Sequence, residues 1–221
     1  MGTKIMDALF WQKKWQIGEI NFHMDRPHPL LQKYFSEVPI GKILVPLCGK
    51  STDMIWLRSR GHEVIGIELS PIACEAFFKE NKISYREKKI DHFQIFEGEG
   101  VSLYCGDFFL SPDSAWEGVT YIYDRAALIA LPQELRQKYA QLICDKKIPL
   151  FLISLDYKSP QLIGPPFSVP ENEIKKLYES HFEIKKVSSQ KDFSLSDRPP
   201  KYIGIEVLEE AYFITLASRE G

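Results

Sequence analysis

The chain has 221 residues, of which 44% are hydrophobic and 26% charged, and this balance is typical of a globular protein with a full core. The formal net charge of −2 provides no general attraction for nucleic acid or acidic membranes, so we predict neither as a partner. No apolar run is long enough to span a bilayer, and the first residues lack the apolar centre of a signal peptide. The four cysteines and five histidines are scattered without a metal-ligand pattern, which favours reduced thiols, no metal and a cytoplasmic location.

The first forty residues are predicted to form a helical cap ahead of an α/β core at 41–221, and we expect both to belong to one domain. Trp11 and Trp15 lie four positions apart in this cap and would share one face of a helix. A core-facing stripe is the plain interpretation of such a pair. Because the cap precedes the core, the alternative is a lid that closes over a ligand.

From residue 41 onward, short apolar runs alternate with amphipathic stretches, which predicts βαβ units and a mostly parallel sheet covered on both faces. The predicted strands are Ile43–Leu47, Glu63–Ile67, Val101–Tyr104, Thr120–Tyr123, Leu150–Leu155, Phe182–Val187 and Ala211–Leu216. The predicted helices are Thr52–Arg60, Pro71–Asn81, Pro132–Asp145 and Glu171–Ser180. The last two strands are expected to form an antiparallel hairpin at the edge, and 85–100 to form an inserted connection or hairpin.

The turn after the first strand ends in Gly49-Lys50-Ser51, the last three residues of a phosphate-binding loop. That loop also needs a glycine at the position of Leu44, which lies inside the apolar strand, so a nucleotide hydrolase is disfavoured. A dinucleotide site would need G-x-G-x-x-G at this turn, and only Gly49 is present. The ligand of this turn is therefore expected to carry no phosphate at this point.

Acidic residues follow the next two strands. Glu68 comes about twenty residues after the glycine turn, where a ribose-binding acid stands in Rossmann-like sites, and Asp107 follows a later strand. Each acid taken alone could equally be a solvated loop residue or a helix cap. Together with the turn, they favour an adenosyl ligand, with Glu68 on the ribose and Asp107 near adenine. We expect Glu68 to be open to the ligand and to contribute little to stability.

Six segments carry a resemblance that spans nearly the whole chain: FWQKKWQIGEINFH, VPLCGKSTDMIWL, GHEVIGIELS, SLYCGDFF, YDRAALIALP and GPPFSVP. In this order and spacing they resemble the thiopurine S-methyltransferase family. The resemblance implies a Rossmann-like class I methyltransferase fold with a seven-stranded, mostly parallel sheet, one antiparallel edge strand and an N-terminal helical cap. It also implies an enzyme that takes S-adenosylmethionine, leaves S-adenosylhomocysteine and methylates aromatic or heterocyclic thiols such as 6-mercaptopurine.

The same resemblance assigns site residues wherever the motifs match. To the cofactor it assigns Trp11, Trp15, Phe22, Leu47, Glu68, Asp107, Phe108 and Arg125. To the acceptor it assigns Phe22, His23, Arg125, Pro166, Phe167 and Arg198. Arg125 is the residue that it implies in catalysis, since it would lie between cofactor and acceptor.

A guanidinium after the fourth strand suits an electron-rich methyl acceptor, because a guanidinium carries only hydrogen-bond donors. Methylation of an amine instead calls for protein groups that accept hydrogen bonds from the amine. The plain interpretation of Arg125 is a surface ion pair with Asp124. His23 is interpreted either as a proton relay or as a neutral structural residue. Two further functions stay open: methylation of selenium, tellurium or inorganic sulfide species on the same fold, and a non-catalytic protein that binds an adenosyl ligand. A monomer acting on a small molecule is expected.

Overall fold

A computed structural model describes residues 8–20, 23–158, 164–191 and 205–217 of the chain. The chain divides into two compact units, Met1–Ile122 and Tyr123–Gly221. In the described ranges, no helix combines the length and the apolar character that crossing a membrane requires.

The first unit has a mixed sheet with helices before and between its strands. Its helices are α1 (Ala8–Gln16), α2 (Pro29–Tyr34), α3 (Asp53–Ser59) and α4 (Pro71–Glu80). Its strands are β1 (Lys42–Pro46), β2 (Glu63–Glu68), β3 (Tyr85–Ile90), β4 (Phe93–Gly98), β5 (Val101–Cys105) and β6 (Val119–Arg125), the last of which runs across the unit boundary. Within this unit the strand order is β3-β4-β5-β2-β1-β6. Strand β1 pairs in parallel with both β2 and β6, and β2 pairs in parallel with β5.

Close packing on the β2 strand explains why a glycine stands in the middle of it. A side chain at Gly66 would place its Cβ 2.6 Å from the Cys48 sulfur and 3.3 Å from the Met54 sulfur, so only glycine fits. Helix α4 then begins where the sequence predicts. Ser70 accepts a hydrogen bond from the Ala73 N–H at 3.4 Å, and Pro71 occupies the first helical turn.

The second unit contains a three-stranded antiparallel arrangement and two helices. Its elements are α5 (Gln133–Lys146), β7 (Leu150–Tyr157), α6 (Glu171–Tyr178), β8 (Phe182–Lys191) and β9 (Val207–Leu216). Strand β9 pairs antiparallel with β7 on one side and with β8 on the other. The fully buried rings of Tyr139, Phe151 and Tyr212 are among the largest side chains of its core.

The structure confirms the predicted α/β class and most element positions, but it corrects the strand count. Nine strands are described, where seven were predicted. The two additional strands are β3 and β4, which form an antiparallel hairpin over the segment predicted as an insertion, and β4 also pairs antiparallel with β5.

The prediction of a single antiparallel strand at the edge is also wrong. In the second unit the antiparallel strand β9 lies between β7 and β8, and β8 is the outer strand. The physical reason lies in composition. Strand β9 is largely apolar and buried, whereas β8 carries lysines, serines and glutamine that are mostly exposed or half-buried. The apolar strand therefore takes the position with a neighbour on each side.

Candidate functional site

The turn that follows β1 has an unusual backbone. Leu47 and Gly49 both have positive φ angles, 47° and 53°, and Leu47 is a rare example of such a conformation for a branched side chain. The Cys48 N–H donates to the Ile67 carbonyl at 3.1 Å, which ties the turn to the end of β2. The Trp15 ring of α1 lies directly on this turn, since a Cβ at Gly49 would come within 3.1 Å of its Cζ2 atom. The structure thus brings Trp15, Leu47 and Gly49 together.

Glu68 is buried against the same turn, which corrects the expectation that it is open and without a structural role. Its side chain is only 6% exposed. One carboxylate oxygen accepts from the Gly49 N–H at 2.8 Å, and the other accepts from the Ser70 N–H at 2.8 Å. Burial raises the pKa of Glu68, while these backbone hydrogen bonds oppose that rise. A carboxylate has about four acceptor sites, so the group can still accept from a ligand hydroxyl.

Asp107 and Phe108 stand at the start of a short 3-10 helix, Phe108–Leu110, just after β5. Asp107 is exposed and its Oδ1 accepts from the Phe109 N–H at 2.9 Å, so one oxygen acts as the helix cap that the sequence left open as an alternative. Phe108 is 5% exposed and packs edge-on against Trp116, with ring centroids 5.7 Å apart. The exposed Asp107 carboxylate therefore stands beside a Phe108 ring that is fixed by packing.

The remaining candidates in the first unit are less tightly defined. Trp11 lies on α1 with Trp15, as predicted, and is half-buried with its ring edge-on to Phe10 at 5.3 Å. His23 is half-buried, and its Nε2 lies 3.8 Å from an Asp25 carboxylate oxygen. Phe22 lies outside the described residues, and so does Arg198, which was assigned to the acceptor.

In the second unit, Asp124 shapes the turn that carries Arg125. Asp124 is fully buried; its Oδ1 accepts from the Ala127 and Leu128 N–H groups at 3.1 and 3.3 Å, and its Oδ2 accepts from the Tyr139 hydroxyl at 2.7 Å. Ala126 has a φ of 76°, a strained value for a residue with a side chain. Burial raises the pKa of Asp124 to about 6. Both Asp124 oxygens are therefore committed inside the fold, whereas the surface-pair interpretation placed this carboxylate in solvent with Arg125.

The Gly164–Phe167 segment, assigned to the acceptor, is anchored on several sides. The Phe167 N–H donates to the Ile129 carbonyl at 2.6 Å, and the Tyr157 hydroxyl donates to the Pro166 carbonyl at 2.6 Å. The Gly164-Pro165 and Pro165-Pro166 peptide bonds are cis. Pro166 and Phe167 are both half-buried, so part of each remains accessible.

Residues that support these side chains were missed by the sequence analysis. On α5, Tyr139 holds Asp124 and Arg136 contacts the Phe167 ring. At the end of β7, Tyr157 holds Pro166. In the sequence, all three look like ordinary helix or strand residues. No local pattern marks them, because their partners lie far away along the chain.

The four cysteines are free and buried. Burial raises the pKa of the Cys48 thiol well above its ordinary value, and the nearby Glu68 carboxylate raises it further. Within the described ranges, no group of three or more His, Cys, Asp or Glu side chains is arranged to hold a metal ion.

Comparison with known proteins identifies close relatives. The family model for Thiopurine S-methyltransferase (TPMT) matches residues 6–217. The chain is 39% identical over 191 residues to the thiopurine S-methyltransferase of Pseudomonas fluorescens, covering 84% of this chain and 88% of that one. It is 38% identical over 219 residues to the enzyme of the same name from Nitrosospira multiformis, covering 96% and 98%. Among solved structures, the 1,6-didemethyltoxoflavin-N1-methyltransferase of Burkholderia thailandensis is similar in fold, with a TM-score of 0.60 and 16% identity over 94% of this chain and 87% of that chain.

Proposed function

Because the chain belongs to the thiopurine S-methyltransferase family, we propose that it transfers the methyl group of S-adenosylmethionine to the sulfur of aromatic or heterocyclic thiols. The chain is an S-adenosylmethionine-dependent methyltransferase with the class I fold. We propose the acceptor and the roles of the individual residues. The observation that carries it is the arrangement of Glu68, Gly49 and Trp15, since it suits an adenosyl ligand without phosphates.

The first unit would hold the cofactor. Glu68 is already oriented by the Gly49 and Ser70 N–H groups, so its remaining acceptor capacity has a fixed direction, which suits a ribose hydroxyl. Asp107 offers an exposed carboxylate for the exocyclic amine of adenine, and Phe108 beside it would border the adenine. Leu47 would contact the cofactor from the turn, with Trp11 and Trp15 covering it from α1 and Phe22 as a further assignment.

The second unit would hold the acceptor. Arg125 stands at the end of β6, on the turn that Asp124 fixes, and its guanidinium donates hydrogen bonds to an electron-rich acceptor. Pro166 and Phe167 would form an apolar wall for a flat ring. Family resemblance also assigns Phe22, His23 and Arg198 to the acceptor, and the first two of these belong to the first unit.

The bound cofactor supplies an electrophilic methyl group on a positively charged sulfur. The protein's part is to bind, orient and exclude water. If the acceptor enters as a thiolate, charge is neutralised as the methyl group moves, and apolar walls such as Phe167 do not oppose the reaction. Holding the two sulfur atoms in line provides much of the rate. An aromatic thiol ionises readily, so the proposal needs no strong general base.

The four free, buried cysteines support a reducing compartment, and we place the reaction in the cytoplasm on that basis. A small thiol, rather than nucleic acid or a membrane, is the proposed partner. The protein is proposed to act as a monomer.

The proposal is tested by following a labelled methyl group from S-adenosylmethionine. Purified protein is offered 6-mercaptopurine, thiophenol, aniline and phenol in parallel, and we expect label on sulfur and none on the amine or hydroxyl. Tight binding of S-adenosylhomocysteine without transfer to any aromatic thiol would contradict the proposal and favour a binding protein. A parallel assay offers selenide and tellurite, and preferred transfer to these species would identify the other acceptor class.

A further inference from the structure

The ring of Phe167 contacts both a glycine and a buried arginine. A Cβ at Gly164 would lie 2.6 Å from the Phe167 Cε1 atom and 2.7 Å from its Cγ atom, so the ring rests directly on the glycine backbone. The Arg136 guanidinium lies over the same ring, 5.6 Å from its centroid. This distance allows a cation–π contact. Gly164 also has a φ of 78°, which excludes most other residues on a second ground.

Arg136 is itself held rigidly by two further partners. Its Nε donates to the Glu173 carboxylate on α6 at 2.6 Å, and its Nη1 donates to the Leu131 carbonyl at 2.9 Å. The residue is only 6% exposed, although arginine is rarely buried without a specific reason. Because these bonds fix the planar guanidinium, it offers a platform of defined position rather than a flexible contact.

The backbone on either side of the ring is fixed as well. Phe167 donates its N–H to Ile129, and the Val169 N–H donates to the Leu155 carbonyl at 2.8 Å. The ring therefore has little freedom to turn aside or to retract. Three separate elements, α5, α6 and β7, contribute to holding one half-buried phenylalanine.

We infer that Arg136 is a specificity-determining residue, which fixes the Phe167 ring as a rigid wall and thereby selects flat aromatic acceptors over flexible aliphatic ones. This inference rests on the proposed function, because it takes Phe167 to face the acceptor. Arg136 acts through Phe167 and is a positioning residue. A fixed ring favours a flat partner that stacks on it, while a small aliphatic thiol gains little from that surface.

The test compares two acceptors in matched variants. Arg136→Met removes the charge and the hydrogen bonds but keeps a long side chain, and Lys138→Met makes a similar change at an exposed site on the same helix. We expect Arg136→Met to raise the KM for thiophenol about tenfold, to leave the KM for 2-mercaptoethanol within about twofold, and to leave S-adenosylhomocysteine affinity unchanged. Lys138→Met is expected to change none of these values.

A double variant separates positioning from general destabilisation. In a Phe167→Leu background, Arg136→Met should cause no further loss of aromatic preference, because the ring through which it acts is gone. Glu173→Gln, which leaves Arg136 in place but weakens its anchor, should shift the preference in the same direction by a smaller factor. It also keeps the test decisive if Arg136→Met fails to fold.

Equal losses for both acceptors, or an unchanged preference in Arg136→Met and Glu173→Gln, would overturn the inference while leaving thiol methylation intact. A wild-type protein that methylates no thiol at all would overturn the proposed function and this inference with it. Loss of aromatic preference with retained cofactor affinity supports both.

Discussion

Glu68 is the residue at which structure and proposed chemistry overlap most closely. The carboxylate braces the Gly49 turn and the start of α4 through two backbone N–H groups, and the same oxygens are proposed to accept the ribose hydroxyls. A substitution there therefore acts on stability and on binding at once. Buried N–H groups that lose their acceptor cost about 1–3 kcal/mol each when nothing replaces it.

Glu68→Ala is expected to lower the free energy of unfolding by about 2–4 kcal/mol and to weaken S-adenosylhomocysteine binding by roughly thirty- to a thousand-fold. Glu68→Gln should lose less of both, because the amide oxygen still accepts. Urea unfolding gives the first quantity and titration calorimetry on the folded protein gives the second. Wild-type affinity in folded Glu68→Ala would remove Glu68 from the site.

Substitution of Arg125 distinguishes a role in binding the acceptor from a role in binding the cofactor. If the guanidinium mainly faces the acceptor, Arg125→Ala should slow methyl transfer by roughly ten- to a hundred-fold, which corresponds to a lost charged hydrogen bond of about 1.5–3 kcal/mol. Affinity for S-adenosylhomocysteine should change far less. Parallel losses of turnover and cofactor binding would instead assign Arg125 to the cofactor, and full activity would exclude it from both roles.

Asp124 should make stability depend on pH in a recognisable direction. Burial raises the pKa of this carboxyl to about 6 in the folded chain, from an ordinary value of 3.8. A raised folded-state pKa adds stability that is fully present below the unfolded-state pKa and is lost as pH rises through about 6. The groups facing the carboxyl are the Tyr139 hydroxyl, the Ala127 and Leu128 N–H groups and the nearby Tyr178 ring.

The measurement is denaturant unfolding of the wild type and of Asp124→Asn at several pH values. The asparagine side chain keeps the shape and an acceptor but does not titrate. Relative to this variant, the wild type should lose about 1 kcal/mol between about pH 5 and about pH 7. A difference in stability that stays constant over this range would contradict the raised pKa.

At the scale of elements, the sequence predicted what local patterns determine. The four predicted helices and the first five predicted strands are confirmed to within one or two residues at each end, because caps and periodicity are local signals. The last two strands, β8 and β9, are each four residues longer at one end than predicted. The position of β9 between β7 and β8 was not predictable, since it depends on pairing between segments far apart along the chain. The β3–β4 hairpin has a polar first strand, and nothing local distinguishes it from a solvated loop.

The residue that follows helix α5, Lys147, has a backbone conformation that suits glycine. Lys147 has φ 53° and ψ 38° and donates its N–H to the Cys144 and Ile143 carbonyls, while its side chain is exposed. Lys147→Gly should raise the free energy of unfolding by about 0.5–1 kcal/mol, because glycine adopts this left-handed conformation without strain. The same substitution at the exposed Lys138, inside the helix, should lower it by about 1 kcal/mol. Thermal unfolding of both variants checks the opposite signs.

At the scale of the whole molecule, the cofactor should stabilise the chain by mass action. S-adenosylhomocysteine at about a hundred times its Kd adds about 2.7 kcal/mol to the free energy of unfolding, which corresponds to a rise of roughly 5–10 °C in Tm for a chain of this size. ATP with magnesium and NAD should leave Tm unchanged, because the Gly49 turn lacks the glycines that phosphates need. A rise with ATP that disappears in Lys50→Ala would restore a nucleotide site.

Only part of the candidate site could be predicted from the sequence. Glu68 and Asp107 follow strands and could be placed by topology alone, whereas Leu47, Trp15, Phe167 and Arg125 were assigned through family resemblance. The burial of Glu68 could not be foreseen, since it arises from hydrogen bonds to Gly49 and Ser70 that form only when the two strand ends meet. The Arg136 platform depends on three elements and has no local signature.

The burial of Cys48 has a consequence for the durability of the enzyme. A sulfonium methyl group is an alkylating agent, and thiolates are its natural targets, yet Cys48 stands next to the turn proposed to hold that reagent. Burial and the Glu68 carboxylate raise the pKa of the Cys48 thiol, which keeps it protonated and poorly nucleophilic. A neutral, buried thiol at this position is a poor target for the methyl group, so the proposed cofactor site carries protection against alkylation of its own cysteine.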